Sequence, residues 1–343
     1  MSLSPQDHRR AKLMTFLDVT KGPGLEVGPL HSPIVTKDMA DVCYVDVFSQ
    51  DQLRANYAND PAVSLADIPE IDFVLSGPEG VRRLPEVVGT AAPFAWMIAS
   101  HVVEHVPDLI AWLAEIAEIL DDGGRLLLAV PDRRFTFDIL RPVTTVGQML
   151  QAHDLGETKP SVRAVFDLTR NAVRVSADDA WRGEVPDRDE RIHDLAAAVS
   201  EAQRVRDGIY VDSHVWIFTP SLFVEQLADL GRLGLSDFVV EKLVPTILND
   251  LEFYAVLRRL PRGLTGDELV SARAEGITEI TDDDPARERI DAEIEKLESA
   301  IRAGVQRTEE LEEELAQVRA SERWRLGGLV ASPAAALKRL LTR

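Results

Sequence analysis

The segment from Phe94 to Val130 constrains the fold most, because it reads as a strand, a helix and a second strand in succession. Its two apolar runs, Phe94 to Ala99 and Arg125 to Val130, lack polar alternation, which is typical of strands buried on both faces. Between them, apolar residues recur at helical spacing at Leu109, Ile110, Leu113, Ile116, Ala117 and Leu120. Such a unit predicts a right-handed parallel crossover, and therefore a parallel sheet covered by helices.

The same alternation extends over residues 1–262, which we predict to form one α/β domain. Two earlier apolar runs, Gly24 to Val27 and Val42 to Val45, read as buried strands. The alternating run Tyr210 to Phe218 resembles a further strand, and Thr219–Pro220 after it predicts the N-cap and first turn of a helix. Two late runs, Asp237 to Val244 and Leu251 to Leu257, are separated by only six residues. A parallel crossover needs about a dozen residues, so these last strands are predicted to pair as an antiparallel hairpin.

Three further segments depart from this pattern. Residues 133–208 are polar and rich in arginine and aspartate, and we predict an insertion that covers the substrate entrance. Residues 263–285 lose apolar periodicity and contain three consecutive aspartates, which indicates an acidic linker. Residues 286–322 are predicted to form a coiled coil. Their apolar side chains follow alternating steps of four and three at Ile290, Ile294, Leu297, Ile301, Leu311, Leu315 and Val318.

Charge and composition exclude several classes of partner. The 343-residue chain has a net charge of −20, which disfavours nucleic acid. No apolar stretch approaches the ~20 residues that span a bilayer, and Cys43, the single cysteine, cannot form an internal disulfide. We therefore expect a cytoplasmic protein. Residues 323–343 form a basic amphipathic tail that is compatible with a peripheral membrane or protein contact, and the coiled coil is compatible with a homo-oligomer.

The first candidate site lies where the first two strands end. Glu26 and Gly28 close the first strand, and a glycine there lets the backbone approach a bound cofactor. Asp46 ends the second strand, where a carboxylate can accept both hydroxyls of an adenosine ribose. The chain contains neither the G-x-G-x-x-G dinucleotide fingerprint nor a P-loop sequence.

The most specific motif follows the strand that begins at Phe94. Residues 100–108 read Ser-His-Val-Val-Glu-His-Val-Pro-Asp and lead into the amphipathic helix and a Gly-Gly turn. From about Phe16 to Leu260 the chain resembles class I S-adenosylmethionine-dependent methyltransferases of the type 11 kind. The resemblance implies a doubly wound, mostly parallel seven-stranded Rossmann-like sheet, with S-adenosylmethionine as the cofactor.

Position by position, the resemblance also implies a cofactor pocket. Glu26, Gly28 and Pro29 would face the methionine part of the cofactor, and Asp46 the ribose. The pair Asp72 and Phe73 would flank the adenine. Ser100 and His101 would line the floor beneath the reactive methyl group. The family's second glycine is replaced by Leu30, and the acid that often opens the fourth strand is Ala95.

The string from His101 to His105 also spells H-x-x-E-H, an inverted zinc-protease motif. That motif needs both histidines on one face of a continuous helix. Here a strand precedes the motif and Pro107 opens a helix only after it, so we predict no metal site.

Methyl transfer to a hydroxyl requires a base for its proton, and histidine suits that role. His101 and His214 are the catalytic candidates, beside His105 and His193. The tail sequence Ser-Glu-Arg-Trp-Arg-Leu at residues 321–326 resembles proteins of bacterial surface-polysaccharide assembly, which implies O-methylation of a glycan or its precursor. The alternatives are a small-molecule or protein methyltransferase, and a cofactor-dead scaffold that acts through its coiled coil.

Overall fold

The structure is a computed structural model that describes residues 5–78, 80–280 and 285–320. It divides into two compact units, one ending at Asp283 and the other beginning at Asp284. The predicted basic tail, residues 323–343, lies outside the described residues.

The first unit is built on a central seven-stranded sheet. In the described residues the strands are β1 (Gly24–Val27), β2 (Val42–Asp46), β3 (Phe73–Val74), β4 (Ser76–Gly77), β5 (Gly80–Val81), β6 (Phe94–Ser100), β7 (Leu120–Pro131), β8 (Phe238–Val244) and β9 (Glu252–Arg259). The sheet order is β3-β2-β1-β6-β7-β9-β8, while β4 and β5 form a separate small ladder. The predicted seven-stranded, mostly parallel sheet is confirmed.

Parallel pairing brings the ends of three strands to one edge of the sheet. β1 pairs in parallel with β2 on one side and with β6 on the other, so that Glu26 faces Tyr44 and Ile98. β9 runs antiparallel to both β7 and β8. The predicted hairpin is therefore confirmed.

The core strands are apolar on both faces because helices cover both sides of the sheet. In β6, Met97 belongs to one hydrophobic cluster and its neighbours Trp96 and Ile98 belong to the other. All three are at most 1% exposed. This explains why the strand reads as a continuous apolar run with no alternation.

The helices of the first unit are α1 (Pro5–Leu13), α2 (Gln50–Asn56), α3 (Leu84–Val88), α4 (Leu109–Ile119), α5 (Val146–Leu155), α6 (Val162–Asn171), α7 (Ala177–Trp181), α8 (Leu195–Arg206), α9 (Pro220–Arg232) and α10 (Gly266–Ala274). As expected, α9 begins with Thr219 as N-cap and a proline in its first turn. Asp108 is the N-cap of α4. α4 ends at Ile119, so the Gly123–Gly124 turn lies within β7 and does not end the helix as predicted.

Residues 133–208 are more regular than their composition indicated, since they contain α5 to α8. Each of these helices has an N-cap side chain that accepts a hydrogen bond from a backbone N–H of the first turn. The four N-cap residues are Thr145, Ser161, Ser176 and Asp194. These capping side chains stabilise the first turns of the four helices, which the polar composition of residues 133–208 did not predict. The extended segment 210–218 joins the sheet only by a bridge between Phe218 and Asp132, although its alternation resembled a strand.

The predicted linker, residues 263–285, also folds in part. It contains α10, and the Ile277 N–H donates to the Val240 carbonyl at 2.8 Å. Ile277 and Ile280 pack against the core of the first unit. The lack of apolar periodicity in residues 263–285 predicted only a linker. Ile277 and Ile280 nevertheless attach this segment to the first unit.

In the second unit, α11 (Pro285–Ala320) is a continuous 36-residue helix, as the heptad pattern predicted. Six residues of the predicted stripe have described side chains, and all six are exposed: Ile294, Leu297, Ile301, Leu311, Leu315 and Val318. None of the described helices is long and apolar enough to cross a membrane.

Gly24 permits the close approach of β1 to Trp96. A Cβ atom at this position would lie 2.1 Å from the indole ring, which is itself 1% exposed and has no room to move. We expect Gly24→Ala to lower the free energy of unfolding by about 1–3 kcal/mol through overpacking, as measured by urea denaturation. Gly147→Ala is the control, because that helical position has no neighbour closer than 3.8 Å. An equal loss in both variants would contradict the steric explanation.

Candidate active site

A cavity of about 490 Å³ lies at the carboxyl ends of β1, β2 and β6. In open parallel sheets this edge is where ligands bind. Of the residues predicted to form the cofactor site, the cavity is lined by Glu26, Gly28, Pro29, Asp46, Ser100 and His101. The sequence therefore identified one pocket from motifs that lie up to 75 residues apart.

The turn after β1 adopts a backbone conformation that glycine permits. Gly28 has φ of +62°, and its N–H donates to the Val45 carbonyl at 2.9 Å. A Cβ at Gly28 would lie 3.4 Å from Val102 Cγ2, so the turn packs closely against the segment after β6. Leu30, which replaces the family's second glycine, also has a positive φ, +43°. Leu30 therefore adopts a left-handed backbone conformation, which has a steric cost for leucine that glycine avoids.

Glu26 is 2% exposed, and its carboxylate holds the loop that follows the turn. One oxygen accepts the Ile34 N–H at 2.6 Å and the other accepts the Val35 N–H at 3.0 Å. Burial raises the pKa of Glu26 to about 7, although both backbone hydrogen bonds oppose this shift. Glu26 therefore shapes the wall of the cavity by fixing this loop, which includes the cavity-lining Ile34.

Asp46 ends β2 and lines the cavity, as its sequence position predicted. Its Oδ1 accepts the Phe48 N–H at 2.9 Å, and burial raises its pKa. Asp72 and Phe73 are not among the cavity-lining residues. The Asp72 carboxylate is instead held by Lys37 at 2.6 Å and by the Tyr44 N–H at 2.8 Å. The structure therefore places this pair outside the lining of this cavity.

His101 follows β6 directly and has φ of +54°, which is uncommon for a non-glycine residue. Its N–H donates to the Ala129 carbonyl at 3.0 Å. Its Nε2 contacts Oε2 of Glu252 and lies 3.1 Å from Nη2 of Arg9. The ring is therefore held between the first helix and the last strand.

Glu252 is the centre of that contact. It is 2% exposed, and its Oε1 accepts hydrogen bonds from Arg9 Nε at 2.7 Å and from the Tyr254 hydroxyl at 2.6 Å. Burial favours the neutral acid, but His101 and Arg9 outweigh it and lower the pKa of Glu252 to about 2. The carboxylate is thus anionic at neutral pH. Sequence reasoning missed both Arg9 and Glu252, because neither belongs to a local motif.

His105 and His214 lie beside each other, with ring centroids 4.7 Å apart in an edge-to-face arrangement. His105 lines the cavity, and its Nδ1 lies 3.0 Å from Oδ1 of Asp212. Burial opposes protonation of His105, but Asp212 and Glu104 raise its pKa on balance. His105 is the member of this histidine pair that lines the cavity, and His214, which the sequence indicated for catalysis, packs against it without lining the cavity.

A buried network orients His214. Its Nδ1 lies 2.5 Å from Oδ2 of Asp138, whose other oxygen accepts from Arg141 Nη1 at 2.7 Å. Arg141 also donates to the His214 carbonyl at 2.9 Å. Burial alone would raise the pKa of Asp138, but His214 and Arg141 lower it. Asp138 and Arg141 belong to the predicted insertion, which therefore contributes to the site through His214.

The inverted zinc-protease geometry is not formed. His101 contacts Glu252 and Arg9, whereas His105 contacts Asp212, so the two histidines of the motif have different partners. The middle glutamate, Glu104, is 1% exposed and lies between them. Its carboxylate is 3.5 Å from His101 Nδ1 and 3.9 Å from His105 Nε2.

Comparison with known proteins gives one family match. Residues 6–204 match the family described as a methyltransferase domain. No curated protein matches the chain.

Several solved structures resemble this one at low identity. The chain is similar to the glycopeptide N-methyltransferase MtfA complexed with S-adenosyl-L-methionine, at 15% identity and a TM-score of 0.25, covering 36% of this chain and 54% of that chain. It is similar to the CcbJ methyltransferase from Streptomyces caelestis, at 17% identity and a TM-score of 0.28, covering 42% of this chain and 59% of that one. It is also similar to a SAM-dependent methyltransferase from Methanosarcina mazei, at 12% identity and a TM-score of 0.35, covering 76% and 99%.

The chain thus spans just over half the length of the first two of these proteins. The family match, in contrast, spans more than half of the chain itself. The chain therefore belongs to the methyltransferase-domain family.

Proposed function

We propose that this protein binds S-adenosylmethionine in the cavity at the ends of β1, β2 and β6, and transfers its methyl group to a hydroxyl of a glycan or glycan precursor. The observation that carries the proposal is the convergence of Gly28, Asp46 and Ser100 on one cavity of about 490 Å³. These residues end three adjacent parallel strands. Such an edge accommodates a cofactor across the strand ends.

Each part of the cofactor has a partner in this proposal. The ribose hydroxyls donate to Asp46, and the methionine part lies along the turn that contains Gly28 and Pro29. Glu26 acts mainly through the loop that it holds, because both of its oxygens already accept backbone hydrogen bonds. Its negative charge, when present, also favours the cationic ammonium and sulfonium of the cofactor.

The adenine needs a different partner from the predicted Asp72 and Phe73, since neither lines the cavity. Phe48 and Leu53 do line it, close to Asp46 in sequence. We propose that these apolar side chains flank the adenine ring.

On the acceptor side, we propose that His214 and its neighbour His105 activate the acceptor hydroxyl for methyl transfer. His101 has a supporting role, because its Nε2 is already engaged by Glu252 and Arg9. Tyr57 and Tyr210 also line the cavity, and aromatic rings with hydroxyl groups suit a polar, hydroxylated acceptor. The insertion 133–208 supplies the buried Asp138 that orients His214.

The cofactor assignment is tested by calorimetric titration with S-adenosylhomocysteine. We expect the folded wild-type protein to bind, and Asp46→Ala to lose about 1–3 kcal/mol of affinity, the cost of a lost buried hydrogen bond. Asp51→Ala is the matched control, because it removes an exposed acid from α2 nearby. Unchanged affinity in Asp46→Ala would exclude the ribose contact. A folded wild type that does not bind would favour the scaffold alternative.

The acceptor class is tested by incubating the protein with methyl-labelled S-adenosylmethionine and candidate acceptors. We expect label in polyhydroxylated glycans or glycan precursors, recovered as an alkali-stable methyl ether. Label found in protein or in a small non-glycan acceptor would contradict the glycan assignment and leave the methyltransferase assignment intact. Asp51→Ala should transfer label at the wild-type rate.

We also propose that α11 self-associates as a coiled coil. The six described apolar side chains of its stripe are between 47% and 64% exposed in the single chain, and burial of such a stripe drives helix pairing.

We expect Leu315→Glu, combined with Ile301→Glu, to reduce the mass of the full-length protein in light scattering. A charge at a seam position would be buried in the paired state, which destabilises pairing. Gln306→Glu adds the same charge away from the stripe and should leave the mass unchanged. A wild type that is already monomeric would contradict self-association.

A further inference from the structure

Three side chains that can ligate a metal ion converge beside the cavity, and one of them, His105, lines it. Glu104, His105 and His214 each offer one ligand atom, and these atoms all lie within 4.8 Å of one another. Two of the residues follow β6, and the third lies more than 100 residues further along the chain. Two imidazoles and one carboxylate are a donor set that suits divalent transition metals such as Zn²⁺.

The carboxylate of Glu104 has no hydrogen-bond partner among the described residues. It is 1% exposed, and neither oxygen has a hydrogen-bond partner. Its nearest polar neighbours, His101 Nδ1 at 3.5 Å and His105 Nε2 at 3.9 Å, are too far or too poorly aligned for a hydrogen bond. A buried carboxylate without a hydrogen-bond partner is costly, so this position favours a bound cation.

Both histidines are oriented as ligands by carboxylates behind them. Asp212 accepts from Nδ1 of His105 at 3.0 Å, and Asp138 accepts from Nδ1 of His214 at 2.5 Å. A proton held on Nδ1 leaves the Nε2 lone pair of each ring for a metal. Carboxylate–histidine pairs of this kind typically surround bound metal ions and fix the ring orientation.

The backbone also holds the three residues together. The Glu104 carbonyl accepts the N–H groups of Val215 at 2.6 Å and Trp216 at 3.2 Å. The Trp216 indole N–H donates to the Val106 carbonyl at 2.6 Å. The segment after β6 is thus fixed against the segment that carries His214.

Ligand atoms at ~2.1 Å from a shared ion lie at most ~4.2 Å apart. The ligand atoms of this cluster lie within 4.8 Å of one another, so the cluster has to close by less than about 1 Å.

We propose that Glu104, His105 and His214 bind one divalent transition-metal ion at the acceptor side of the cavity. Of the three, His105 lines the cavity, so an ion held by them would be reached from the cavity on the His105 side. The role of the ion rests on the proposed function, whereas its binding does not. An acceptor hydroxyl held by the ion releases its proton to water more readily. The oxygen lone pair then forms the bond to the methyl carbon, and the breaking C–S bond leaves its electron pair on sulfur, giving a neutral thioether.

The test is metal binding by full-length protein that has been freed of metal with a chelator. Calorimetric titration with Zn²⁺, and separately with Mn²⁺ and Co²⁺, is expected to give one equivalent per chain. Glu104→Gln keeps the size of the side chain but removes the anionic ligand, and we expect it to weaken binding at least about tenfold. His105→Asn, at a half-buried position, should do the same. Co²⁺ should develop visible ligand-field bands in the wild type but not in these two variants.

His153→Asn is the matched control. His153 also pairs with an aspartate, Asp108, at 2.9 Å, but lies outside the cluster, so this variant should bind metal as the wild type does. A wild type that takes up no more metal than Glu104→Gln and His105→Asn would overturn the proposal. Circular dichroism confirms that the variants are folded. S-adenosylhomocysteine binding is measured on the same metal-free protein, where its loss would contradict the cofactor proposal alone.

Discussion

The parallel hydrogen bonding of β1 to both β2 and β6 determines where the strand-end residues of the cavity lie. Since these three strands end at the same edge, the residues that follow them have to meet there, whatever their separation in sequence. Gly24 allows the pairing by leaving room for the Trp96 ring. The cavity is therefore a consequence of the sheet, and its chemistry depends on which side chains occupy the strand ends.

Four buried carboxylates near that edge have different tasks. Glu26 holds a backbone loop, Glu252 holds His101 and Arg9, and Asp138 holds His214. Glu104 alone among these four has no hydrogen-bond partner for its carboxylate. Glu26, Glu252 and Asp138 are buried together with groups that donate hydrogen bonds to them. Glu104 has no such donor in the described part of the chain, and it lies beside two histidines that other carboxylates orient.

Local signals were sufficient to predict much of the fold. The Thr219–Pro220 start of α9 and the short connection between β8 and β9 were both readable from a few adjacent residues. The helices α5 to α8 were missed because their capping residues stand in a polar context. The alternation at residues 210–218 wrongly predicted a strand, because alternation does not reveal whether a neighbouring strand is present to pair with.

The candidate site was predictable only where a motif marks a strand end, as at Gly28, Asp46 and Ser100. Arg9 and Glu252 were not, because a contact across 243 residues leaves no pattern in either segment. The reasoning against a zinc-protease motif considered His101 and His105 alone. It could not include His214, which completes a different set with Glu104 and His105.

The contact of Arg9 with Glu252 has a consequence for the order in which the protein is assembled during translation. Glu252 begins β9, which inserts between β7 and β8 and closes the sheet. A nascent chain that stops before this strand already contains β1, β2 and β6, with the residues at their ends. It lacks the carboxylate that contacts His101, so the pocket acquires its final shape only after Glu252 has left the ribosome.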